Sequence, residues 1–145
     1  MTNWDKKFLD VATIISSWSH DPSTKVGCAI ADSDHNQLSS GYNGFPRGVA
    51  DDQRLAHRET KLKLIVHAEA NAVAAAARNG HALKGSTAYV TLPPCAQCAA
   101  LLIQAGVRRV VFFKGASLSR WEADWASAQG MFTEAGIEFE EVERV

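Results

Sequence analysis

Residues Thr87 to Phe113 read TAYVTLPPCAQCAALLIQAGVRRVVFF. The first six are β-branched and aromatic enough to predict a strand over Thr87 to Leu92, which Pro93 and Pro94 stop. The next eleven predict a helix from Cys95 to Ala105, closed by Gly106. Val107 to Phe113 is apolar, β-branched and aromatic again, a second strand. Strand, helix and strand joined this tightly make a right-handed crossover between parallel neighbours.

The same punctuation extends in both directions. Trp121 to Ala135 predicts a last helix and Ile137 to Val142 a last strand, while Ala68 to Arg78 is an alanine-rich helix stopped by Asn79 and Gly80. Trp4, Phe8, Val11, Ile14, Ile15 and Trp18 recur at helical spacing, so the chain opens with an amphipathic helix that His20-Asp21-Pro22 ends. Val26, Cys28 and Ile30 alternate with small residues in a strand, and Gln37 to Tyr42 returns beside it. Gly41 to Gly48 is a loop by its glycines and proline, unusually aromatic for a connection. The expected architecture is one domain over residues 1–145, a three-layer α/β/α fold around a five-stranded mixed sheet.

Composition narrows the class of function. A chain of 145 residues with 46% hydrophobic content buries one ordinary core. A formal net charge of -1, with Lys and Arg scattered among acids, gives no basic stripe for long RNA or DNA. Three cysteines do not make a disulfide framework, and two of them form Cys95-x-x-Cys98. With no leader-like segment and no apolar run near 18 residues, the expectation is a cytoplasmic protein of a bacterial cell or a phage-infected host, away from the membrane.

The chemistry is concentrated in His67-Ala68-Glu69 and Pro94-Cys95-Ala96-Gln97-Cys98. One imidazole and two thiols are three zinc ligands, which leaves a fourth position for water, as in catalytic rather than structural sites. Cys95 and Cys98 lie one helical turn apart at a helix start, where the positive end of the helix favours thiolates. Glu69 stands about 160° around a helix from His67, so it faces a neighbouring cavity rather than the same ion. Two thiolates offset the charge of Zn²⁺ and leave its water less acidic, so a carboxylate base is needed, and Glu69 is the candidate. H-x-E followed by P-C-x-x-C marks hydrolytic nucleobase deaminases, in which activated water attacks C4 of cytosine and ammonia leaves.

Less eventful readings exist for the same residue types. A structural zinc site would need a fourth ligand that does not lie nearby, and a redox use of the cysteine pair leaves His-Ala-Glu unexplained. Cys28 reads as a small buried apolar residue, and His20, His35, His57 and His81 as surface residues. Trp4, Trp18, Trp121 and Trp125 read as core or interface.

Beyond the zinc pattern, nearly the whole chain resembles the deoxycytidylate (dCMP) deaminase family. The likeness runs through Asp21-Pro22-Ser23-Thr24-Lys25-Val26-Gly27, Gly41-Tyr42-Asn43-Gly44-Phe45-Pro46-Arg47-Gly48, Val66-His67-Ala68-Glu69-Ala70-Asn71-Ala72, Ala88-Tyr89-Val90-Thr91 and Gln104-Ala105-Gly106-Val107. It implies deamination of dCMP to dUMP, feeding thymidylate synthesis. It further implies substrate contacts at Ser23, Thr24, Lys25, Asn43, Ala68 and Arg78, with Asn43 on the deoxyribose and Lys25 on the phosphate edge. Also implied are a homo-oligomer, a hexamer foremost, and control by dCTP and dTTP with Mg²⁺ at Gly41, Tyr42, Asn43, Gly44 and Arg47. The family often presents a tyrosine after its fourth strand, whereas Phe113 to Trp121 contains none. A riboflavin-pathway deaminase would lack the Asp21 and Tyr42 segments, and a tRNA adenosine deaminase would want a basic face. A deaminase of another free cytosine nucleotide, or a zinc-bearing binding protein without activity, are the alternatives.

Overall fold

A computed structural model describes residues 1–115 and 119–144. In chain order they form α1 (Asn3–Ser16), β1 (Gly27–Ala31), β2 (Gln37–Tyr42), α2 (Arg58–Leu64), α3 (Ala68–Asn79), β3 (Thr87–Val90), α4 (Ala96–Gln104), β4 (Arg109–Phe113), α5 (Ser119–Ala135) and β5 (Glu138–Val142). The sheet order is β2-β1-β3-β4-β5. β1 runs antiparallel to both β2 and β3, whereas β3, β4 and β5 are mutually parallel, with Ala88 opposite Val110 and Val110 opposite Phe139. The expected five-stranded mixed sheet and its parallel crossovers are therefore present.

Period-two alternation assigns the two faces of the sheet. Cys28, Ile30, Ala88, Val90, Val110 and Phe112 pack with Ala72 and Ala76 of α3, Ala99 and Leu102 of α4, and Ala128 and Phe132 of α5. Tyr89 and Val111 point the other way, onto Phe8 and Leu9 of α1. α1 on one side and α3 to α5 on the other are the outer layers. α1 starts with a capping box between Thr2 and Asp5. Asp5 also takes two hydrogen bonds from the Arg109 guanidinium, at 2.7 and 2.8 Å. Burial raises the Asp5 carboxyl, but the bonds from Arg109, Thr2 and Tyr89 outweigh it and hold it well below the usual range. One carboxylate thus ties the first helix to the middle of the sheet.

The helix that carries Glu69 lies hard against β2, and Gly41 is what permits it. A Cβ at Gly41 would come 2.5 Å from the Ala72 nitrogen and 2.6 Å from the Ala68 oxygen, both backbone atoms of α3 that cannot swing aside. Gly41→Ala is expected to destabilise the protein by at least about 1 to 3 kcal/mol, since overpacking must push α3 off the sheet. Urea unfolding checks this; a midpoint equal to wild type would mean that α3 is free to shift.

One stretch departs from expectation. Between Ala50 and Val66 no element was foreseen, yet a 3-10 turn (Gln53–Ala56) and α2 occur there, with His57 Nδ1 accepting from the Thr60 N–H at 3.3 Å to start α2. α2 has no buried residue, so it leaves no apolar period in the sequence. Of the tryptophans, Trp125 packs on Phe112 and Phe139 as expected of core, but Trp4 and Trp18 are 42% and 55% exposed. Trp4, in the first turn of α1, is stacked on His35, and Trp18, just past the end of α1, is edge-on to Tyr42. The tyrosine-free stretch after β4 spans residues 116–118, outside the described residues.

Candidate active site

Two helix starts meet at the end of the central strands. His67 is the N-cap of α3 and Cys95 the N-cap of α4, both with extended backbone, which turns their side chains out of the helices and toward each other. His67 Nδ1 lies 3.4 Å from Cys95 Sγ and 3.4 Å from Cys98 Sγ. Zinc–sulfur bonds of about 2.3 Å and zinc–nitrogen bonds of about 2.0 Å at a tetrahedral angle put sulfur and nitrogen about 3.5 Å apart. The three ligand atoms all lie within 4.8 Å of one another, so the spacing suits one tetrahedral ion.

Electrostatics favours a cation at the same point. Cys95 is pulled down to about 4, first by its hydrogen bond with Cys98 and then, against the opposing effect of burial, by His67. Cys98 is pushed far up by the neighbouring Cys95 sulfur and by burial. The pair by itself therefore keeps one negative charge, and two thiolates at this spacing call for a divalent cation between them. Glu69 is 4% exposed and lies beside both Cys98 and Cys28. Burial raises its carboxyl to about 7, a value at which a carboxyl can both take up and give back a proton near neutral pH.

A cavity of about 640 Å³ opens over these residues, a size that holds a small ligand. Of the residues expected to meet a substrate, Ser23, Thr24, Asn43 and Ala68 line it together with His67, Glu69 and Cys95. Asn43 is buried, donates to the Thr24 carbonyl at 2.8 Å and to Asp21 at 3.4 Å, and accepts from the Val26 N–H at 2.8 Å. Both its donor hydrogens are committed, so what it can offer a ligand is the second acceptor position on Oδ1. Asn71 fastens α3 to this floor by donating to the Tyr42 carbonyl at 2.7 Å.

Lys25 and Arg78 are not brought to the cavity. Lys25 is exposed and absent from its lining, because Asn43 and Asp21 hold the neighbouring loop so that Ser23, Thr24 and Val26 face inward instead. Arg78 is exposed in the last turn of α3, eleven residues after His67 and so about 16 Å along the helix. The segment foreseen for an effector is also less open than its glycines suggested. Gly41 belongs to β2, the Asn43 N–H is bonded to the Val26 carbonyl and the Gly44 N–H to the Val66 carbonyl, which leaves Tyr42 and Arg47 as its exposed side chains. Backbone N–H groups at Asn43 and Gly44 are thus not available to a triphosphate.

The cations of the cavity come from α2, which sequence reasoning missed. Arg58 and Lys61 stand in its wall; Lys61 donates to Ser23 Oγ at 2.9 Å and to Asp21 at 3.3 Å, whereas Arg58 is exposed and has no ion pair among the described residues. Asp21 accepts the Ser23 and Thr24 N–H groups at 2.9 and 3.2 Å and so shapes the turn. Asp124, from α5, is the remaining acid of the wall. Among the described residues no helix is long and apolar enough to cross a membrane.

Residues 2–114 match the model of the cytidine and deoxycytidylate deaminase zinc-binding region. An uncharacterized deaminase in the luxG 3'region of Aliivibrio fischeri is 40% identical over 141 residues, which cover 95% of this chain and 92% of that protein. Human deoxycytidylate deaminase is 37% identical over 142 residues, 94% of this chain and 78% of the human one. Among solved structures, the dCMP deaminase of cyanophage S-TIM5 in complex with dCMP and dUMP superimposes with a TM-score of 0.79 at 23% identity, covering 98% of this chain and 99% of that one.

Proposed function

Because the chain belongs to the cytidine and deoxycytidylate deaminase family, we propose that it hydrolyses dCMP to dUMP and ammonia, with zinc held by His67, Cys95 and Cys98. The observation that carries this reading is the convergence of Nδ1 and two sulfurs at 3.4 Å, with buried Glu69 beside them but outside the ligand set. Zinc bound there would polarise a water molecule, which needs Glu69 as its base to become a nucleophile near neutral pH. Glu69 takes the first water proton and delivers it to N3 of the cytosine ring as the C4–O bond forms, then moves the second, from the new C4 hydroxyl, to the exocyclic nitrogen as the C4–N bond breaks and ammonia leaves. Its burial keeps bulk water from intercepting those transfers. The free acceptor position of Asn43 suits a sugar hydroxyl, and Ser23, Thr24, Arg58 and Lys61 suit the 5′-phosphate. The dUMP product would feed thymidylate synthesis. Regulation by dCTP and dTTP with Mg²⁺ rests on the family resemblance, and Tyr42 and Arg47 are the side chains through which it would act.

A turnover panel of dCMP, CMP, deoxycytidine, dCTP and 5-substituted dCMP, followed by the loss of cytosine absorbance, tests the proposal. dCMP is expected to show the highest kcat/KM. A clear preference for another cytosine nucleotide would reassign the substrate, and no ammonia from any of them would leave a zinc-bearing binding protein.

A further inference from the structure

Asp124 stands on α5, and its Oδ2 accepts the Ala96 N–H at 2.9 Å. Ala96 is the first residue of α4, so its N–H is one of those a helix leaves without an internal partner. The peptide bond that carries this N–H joins Ala96 to Cys95. Cys95 is extended, at φ -73° and ψ 168°, whereas Cys98 is helical, so their sulfurs converge on His67 only while that peptide keeps its orientation. Among the described residues, the other backbone N–H groups of the turn bond locally: Ala99 N–H to the Cys95 carbonyl at 2.8 Å and Cys98 N–H to Cys95 Sγ at 3.4 Å.

We propose that Asp124 is a positioning residue that clamps the Cys95–Ala96 peptide from α5 and thereby holds the two sulfurs at the spacing a metal ion needs. The inference rests on the zinc reading above. Hydrogen-bonded neighbours of metal ligands commonly account for about 10- to 100-fold in metal affinity. Asp124→Ala is therefore expected to weaken zinc binding by about that factor, measured as transfer to a chromogenic chelator, and to shift the thiolate-to-cobalt charge-transfer band of the Co²⁺-loaded protein. Asp124→Asn keeps an oxygen for the Ala96 N–H and should stay near wild type in both readouts. Glu122→Ala, an exposed acid on the same helix, should change neither. Zinc retention by Asp124→Ala equal to wild type, or Asp124→Asn losing zinc as readily as Asp124→Ala, would overturn the proposal. If Asp124→Ala does not fold, Asp124→Asn decides alone: an unaltered cobalt spectrum supports the clamp and an altered one sinks it. Wild-type protein that binds no zinc would sink the metal reading itself, a separate outcome.

Discussion

Glu69→Ala is expected to retain a full equivalent of zinc while its turnover of dCMP falls by at least about 10² to 10⁴, the range that positioned proton transfer commonly supplies. The carboxylate lies outside the set of three ligand atoms, and in the proposed mechanism it moves a proton in more than one step. Cys98→Ala should fail in the opposite way, losing the metal and with it all activity, because removal of the buried sulfur leaves two ligands. Metal analysis beside initial rates separates the two classes. Turnover above about a tenth of wild type in Glu69→Ala, a loss smaller than general acid–base catalysis supplies, would remove Glu69 from the proton path.

Arg58→Ala should raise KM for dCMP by roughly 10- to 100-fold and leave kcat/KM for deoxycytidine unchanged. A hydrogen bond to a charged group contributes about 1.5 to 3 kcal/mol, which corresponds to that range. Arg58 suits the test because it is exposed and carries no ion pair among the described residues, so its loss uncovers no buried charge. Lys61 suits it less: its removal would leave Asp21, 3% exposed, without its cation, and would disturb the turn that Asp21 organises. Equal losses on both substrates in Arg58→Ala would mean that the guanidinium does not meet the phosphate. Lys25→Ala, outside the cavity, should leave both substrates unaffected.

The parallel half of the fold was legible because its signals are local. Residues 87–113 carry two β-branched runs, a proline stop and a glycine stop, and these alone imply the crossover that the structure contains. The same holds for the two proposed cysteine ligands, since one helical turn separates Cys95 from Cys98 and the helix end that favours thiolates is marked by Pro94. Gly41 was visible as a glycine, but its reason was not. A turn and a close helix approach ask for the same residue, and which applies depends on α3, packed against it from thirty residues away.

The sequence by itself pointed to parallel pairing among the last three strands, and to one imidazole, two thiols and one carboxylate as the proposed metal ligands and base. The crossover and the Cys95–Cys98 pair follow from spacing within about one element, whereas His67, 28 residues before Cys95, was legible only through the motif it shares with Glu69. Tertiary structure alone decided the wall of the cavity. Arg58 and Lys61 sit on a helix that buries no residue and so leaves no period to read, and Lys25 faces solvent because its neighbours Thr24 and Val26 are hydrogen-bonded to Asn43, just past the end of β2. Asp124 reaches the Cys95–Ala96 peptide from a helix 28 positions downstream. Such pairings are set by how helices pack across a sheet, and neither charge nor hydropathy along the chain records them.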